Sequence, residues 1–196
     1  MRKSDRSKVL MFCAITLLAA GCNKTDNSQA NYKAAINDYY KAHPACLWQD
    51  EKKFPVQAAT SDDAKTEGYD ALTDAGLLTR TTAEKKVFII ASKQVNNYDL
   101  SPQGRTDWTA DPAQPGYGNF CYGHRSVDSI VSFVNSVNSS GAKTAAVSYS
   151  YTLADVPAWA KSDEMKTAFP SLGTKLESNQ AQDSLVMNGQ NWQLTK

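Results

Sequence analysis

The chain has 196 residues, 41% of them hydrophobic and 21% charged, with a formal net charge of +1 at pH 7. That length holds one large domain or two small ones and buries a substantial core. The composition excludes a disordered, collagen-like or multi-span membrane protein, and the near-neutral charge removes any generic attraction to nucleic acid or an anionic surface.

Arg2, Lys3, Arg6 and Lys8 precede an apolar run from Val9 to Ala20. The run is too short for a permanent membrane span, so residues 1–21 read as a secretory signal. It ends Leu17-Leu18-Ala19-Ala20-Gly21-Cys22. This resembles the lipobox of bacterial lipoprotein signals, with Ala19 where Leu is more usual. The resemblance implies cleavage before Cys22, lipidation of that cysteine and a membrane anchor through its acyl chains. Asn23, in place of the Asp that marks inner-membrane retention, leans toward the outer membrane of a Gram-negative cell. Removing the signal takes away four basic residues and Asp5, which leaves a net charge of −2.

Residues 22–30 are small and polar and read as a tether. An amphipathic helix is predicted over about Asn31 to Ala42, with Tyr32, Ile36, Tyr39 and Tyr40 at helical spacing, Asn31 at its start and Pro44 beyond its end. The tyrosines suit a packing face with wet hydroxyl tips. A second helix is expected over 62–75, capped by Ser61 and stopped by Gly76. Strands follow at Leu77–Thr81 and Lys86–Ser92, the latter holding Val87, Phe88, Ile89 and Ile90.

Ala71-Leu72-x-x-Ala75-Gly76-Leu77-Leu78 and Tyr98-x-Leu100-Ser101-Pro102-x-Gly104-Arg105 together resemble the last helix and wing strands of a winged-helix unit, covering residues 31–106. DNA reading does not travel with that resemblance. Helix 62–75 carries five acidic residues and only Lys65, where base and phosphate contacts need cations and amides. A structural or protein-contact module follows, with no nucleic acid partner.

Residues 107–118 read as a Pro/Gly loop, and Trp108, Tyr117 and Tyr122 join Tyr32, Tyr39 and Tyr40 as candidate binding-surface aromatics. Phe120 reads as core. Strands are expected at Phe120–His124 and Val127–Asn135. The strict alternation Ala145-x-Val147-x-Tyr149-x-Tyr151-x-Leu153 gives the clearest strand, large side chains inward and hydroxyls outward. A helix from Pro157 to its stop at Pro170 and a hairpin about Asn188-Gly189 complete residues 119–196. The expected fold is thus α+β, a winged-helix-like helical and hairpin unit followed by a small antiparallel β-β-α-β-β sheet unit with its helix on one face.

With Cys13 in the signal and Cys22 lipidated, Cys46 and Cys121 remain. In an oxidising compartment they pair most simply with each other. The bond closes a loop of about 75 residues and contributes on the order of 4 kcal/mol in the chain-entropy model. A sharper alternative is a zinc set of His43, Cys46, Cys121 and His124, since each histidine stands three residues from a cysteine. The histidines otherwise read as surface or capping residues.

The sequence holds no Gly-x-Ser-x-Gly elbow, phosphate loop, dinucleotide fingerprint or His-Glu-x-x-His. No catalytic residue and no cofactor are implied. The expectation is a lipid-anchored, periplasm-facing envelope protein that acts by binding another envelope protein. The alternatives are a small-molecule carrier with a pocket between helix and sheet, and an envelope enzyme or metal-binding protein using His43 and His124.

Overall fold

The structure is a computed structural model that describes residues 29–88, 91–177 and 179–195. The expected signal, Cys22 and the expected tether up to residue 28 lie outside the described residues, as do Ile89 and Ile90.

In chain order the elements are α1 (Gln29–Ala42), β1 (Lys52–Lys53), β2 (Val56–Ala59), α2 (Asp63–Asp74), β3 (Leu78–Phe88), β4 (Ala91–Leu100), α3 (Pro102–Asp107), β5 (Trp108–Ala110) and β6 (Tyr117–Phe120). Then come β7 (His124–Val137), β8 (Lys143–Ala154), a 3-10 turn (Ala158–Lys161), α4 (Asp163–Ala168), α5 (Pro170–Leu176), β9 (Asn179–Asn188) and β10 (Asn191–Thr195). Three antiparallel sheets result, in spatial orders β1-β6-β5, β2-β4-β3 and β10-β9-β8-β7.

This corrects the expected fold. The first helix does not join the helix and hairpin that follow it. Tyr32, Ile36 and Tyr40, at i, i+4 and i+8, form one buried stripe. That stripe lies on the last sheet, where α1 contacts β7 and β10. Ala145, Val147, Tyr149 and Tyr151 of β8 face it, with Leu185 and Trp192 from the neighbouring strands. The Tyr32 ring meets Phe133 at 5.3 Å and Trp192 at 5.1 Å, both edge-on. Polar groups of the same helix latch onto an irregularity in β7. Asn37 Oδ1 accepts from the Val127 backbone N–H at 2.8 Å, and Lys33 Nζ donates to the Asp128 carbonyl at 3.2 Å. The helix that covers the sheet is therefore α1, the first among the described residues, and not the segment after Pro157.

That later segment breaks into the 3-10 turn, α4 and α5. α4 stops at Ala168, just short of Pro170, as expected of a helix that meets a proline, and Pro170 then opens α5 at its first turn, where its missing N–H is no loss. α4 packs against α2. Together with the two smaller sheets they enclose a second core of Leu72, Leu77, Leu78, Tyr98, Phe120, Met165 and Leu172, and Leu153 borders both cores.

The hairpin unit also differs in detail. Asp62, and not Ser61, stands at the start of α2, with no side-chain cap bond. Gly76 does end α2. It has φ +77°, Leu77 N–H donates to the Leu72 carbonyl and Gly76 N–H to that of Thr73, both at 2.9 Å. Lys86 to Phe88 closes β3, and Ala91–Ser92 opens β4, so the described residues of 86–92 divide between two paired strands. Beyond Leu100 the chain turns helical. Ser101 Oγ accepts from Gly104 N–H at 2.8 Å as the cap of α3 and donates to the Gly76 carbonyl at 2.6 Å. The Pro/Gly loop contains β5 and the start of β6, and β6 is joined to β1 from far upstream.

Candidate functional site

The most polar buried ground lies where α1 crosses the last sheet. Asp183 of β9 occupies a core-facing place in the series Ala181, Asp183, Leu185, Met187, opposite Val147. It is 9% exposed. Its Oδ2 accepts the hydroxyl of Tyr40 at 2.9 Å and a short hydrogen bond from the hydroxyl of Tyr149. Each hydroxyl has given its only proton to that carboxylate. Each therefore accepts from Arg125, whose Nη1 stands 3.0 Å from Tyr40 and 3.3 Å from Tyr149. The guanidinium carbon lies 4.5 Å from the ring centroids of both Tyr40 and Tyr151.

The electrostatics follow from this order. Burial first, and then the bond to Asp183, push the Tyr149 hydroxyl far above the usual tyrosine range, so it stays protonated. Burial works against the Arg125 charge, but the Tyr149 hydroxyl and the neighbouring tyrosines outweigh it and hold the guanidinium more firmly charged than usual. The aspartate charge thus reaches the arginine through two tyrosine hydroxyls. Beside Arg125 opens a recess of about 230 Å³, walled by Tyr40, His43, Tyr151, Leu153 and Lys175.

The tyrosines singled out in the sequence separate into different roles. Tyr32 is buried and donates to Asn135 Oδ1 at 2.9 Å. Tyr40 is buried in the centre just described. Tyr39 is half-buried, and its ring stacks on His43 at 4.1 Å. Tyr122 is 1% exposed, and its hydroxyl has no hydrogen-bond partner among the described residues. Trp108 is half-buried against Phe54 and Phe120, which is core as expected. Only Tyr117 is open, under the Nζ of Lys53 at 5.5 Å.

Cys46 and Cys121 are joined in a disulfide. They face each other across a short antiparallel bridge, flanked by bonds from Ala45 N–H to Gly123 O, Tyr122 N–H to Ala45 O and Leu47 N–H to Phe120 O. The sulfurs are bonded to each other and do not form a thiolate pair. His43 Nδ1–H donates to the Tyr39 carbonyl at 2.7 Å, and His124 Nδ1 stands 3.5 Å from Asp155. Among the described residues no three His, Cys, Asp or Glu side chains gather at ligating distance.

A second feature lies along the edge of the same sheet. β7 is its edge, paired among the described residues with β8 alone. Val131, Val134 and Val137 are 60%, 69% and 66% exposed. No charged residue occurs from Ser129 through Ala142. The register is irregular before Ser132 and regular from there to Val137.

Sequence reasoning missed Arg125, Tyr149, Tyr151 and Asp183 as a group. The available signal was a carboxylate at an apolar-face position of β9. No family model, curated protein or solved structure matches the chain.

Proposed function

We propose that the protein is a lipid-anchored component of the bacterial cell envelope that acts by binding a partner protein without catalysis. The lipobox-like run ending at Cys22 supports the anchor and its outer-membrane lean. The observation that carries the binding reading is the bare edge of β7. Natural sheet edges are shielded by charges, prolines, bulges or a covering element, because unpaired N–H and C=O groups recruit other strands. Here bulges shield the first half, whereas Ser132–Val137 is regular, uncharged and fringed by exposed valines. The occupant is an extended, uncharged segment of a partner, added as a further strand. Val134 and Val137 stand on opposite faces of β7, so side chains from both faces of the added strand pack beside them.

The test places a photo-crosslinking amino acid at Ser132 or Ser136 of the full-length protein in its own envelope. One partner is expected, captured from these positions and not from Glu67, and lost when Val134→Lys is added. Cys22→Ala is expected to move the protein to the soluble fraction. Continued membrane fractionation overturns the anchor. Undiminished capture with Val134→Lys overturns the edge. Concentration-dependent dimers in sedimentation velocity reassign the edge to a second copy of the chain.

A further inference from the structure

The Arg125 recess carries an inference that does not rest on the edge strand. An arginine has five N–H donors in a planar fork. The two on Nη1 are spent on the Tyr40 and Tyr149 hydroxyls. No carboxylate of the described residues lies within ion-pair distance of Arg125, and Nη2 and Nε have no acceptor among them. Both tyrosine hydroxyls point their protons at Asp183, so neither turns toward the recess as a donor. The guanidinium carbon lies 4.5 Å from the centroids of both the Tyr40 and Tyr151 rings, and these contacts together with the two hydroxyl bonds restrict its movement. What is left is a pre-oriented Nη2/Nε edge, the geometry that matches two oxygens of one anion.

The rest of the recess agrees in charge and size. Lys175 and His43 line it, and no acidic side chain does. Lys175 has no carboxylate partner among the described residues, its Nζ lying 6.0 Å over the Tyr122 ring. The negative charge of the centre, Asp183, is buried and takes both tyrosine donors on Oδ2. A space of about 230 Å³ is smaller than the cavities that swallow whole drug-sized ligands. It suits one planar functional group with a short apolar stem against Leu153 and the Tyr151 ring.

We propose that this recess is a carboxylate-binding site, with the Arg125 fork gripping both oxygens and Lys175 adding charge at the rim. The carboxylate comes either from a chain terminus or from an acidic side chain, and one experiment separates the two.

The experiment titrates ¹⁵N-labelled, disulfide-intact mature protein with sodium acetate, with sodium chloride as the control, and follows the Arg125 Nε–Hε signal. That signal is assigned by its loss in Arg125→Lys. Saturable shifts with acetate at about millimolar affinity and none with chloride are expected. Lys175→Gln, whose side chain lies outside the tyrosine network, is expected to weaken binding about threefold. Arg125→Lys, if folded by the criterion of an unchanged amide spectrum, loses about tenfold or more, read from the backbone amides around Tyr151. N-acetylglycine and N-acetylaspartate α-amide then present a terminal and a side-chain carboxylate. The tighter of them names the source. Equal shifts with chloride, no shift up to about 50 mM acetate, or inorganic phosphate binding about tenfold tighter than acetate overturns the proposal.

Discussion

Tyr149→Phe removes one oxygen atom from the centre of the molecule and leaves the ring in place. The side chain is fully buried, so the vacated volume is small and the packing term is close to nothing. What is lost is a hydrogen bond to an ionised acceptor, worth about 1.5–3 kcal/mol, together with the longer contact from Arg125 at 3.3 Å. Tyr40 still donates to Asp183, so the carboxylate keeps part of its solvation. The expected loss is about 2 kcal/mol, or about 4–8 °C in Tm for a chain of this size. Urea denaturation followed by tryptophan fluorescence gives the free energy. The two hydroxyls share Oδ2 of Asp183, so the Tyr40→Phe/Tyr149→Phe double variant is expected to lose at least about 0.5 kcal/mol more than the sum of the singles. A Tyr149→Phe protein within about 0.5 kcal/mol of the parent refutes the network as a stabilising unit. So does strict additivity of the pair.

Three further outcomes follow from the same structure. Cys46→Ser and Cys121→Ser are expected to lose stability equally, about 4 kcal/mol each, since they break one bond closing one loop; melting temperatures that differ by more than about 4 °C count against a purely shared cause. Gly104→Ala places a Cβ 1.8 Å from the Leu77 carbonyl oxygen, which itself accepts from Ser101 N–H; a loss above about 3 kcal/mol, or failure to accumulate as soluble protein, is expected, and a normal melt contradicts the packing of α3 on the turn after α2. Ile36→Ala empties a fully buried site between α1 and the sheet and is expected to cost about 2–5 kcal/mol, with amide hydrogen exchange in α1 accelerated relative to α2.

Much of the local structure was legible. Gly76 marked the end of α2 because the αL position of that stop costs a glycine nothing. The β8 alternation placed Ala145, Val147, Tyr149 and Tyr151 inward, as a pleated strand over one core requires. Asn188-Gly189 marked the last hairpin, where Gly189 has φ +60°. Elsewhere a local cue pointed to the wrong unit. Val87 to Ile90 reads as the middle of one strand by hydrophobicity, yet Phe88 belongs to β3 and is paired with Ala91 of β4. Ser101-Pro102 reads as the tail of a strand, yet it starts a helix because Ser101 finds both Gly104 and Gly76.

The sequence by itself determined the segments whose causes are short-range: helix periodicity, strand alternation and turn glycines, and it pointed to the pairing of Cys46 with Cys121. Only the tertiary structure decided which faces meet. Nothing local says that the stripe of Tyr32, Ile36 and Tyr40 lies on strands more than eighty residues away. Nor does anything local say that β1 pairs with β6, or that Tyr40, Arg125, Tyr149 and Asp183 form one hydrogen-bonded centre. An apolar stripe specifies that it must be covered but not by what, because burial free energy depends on area and not on identity. The choice of partner belongs to the whole chain.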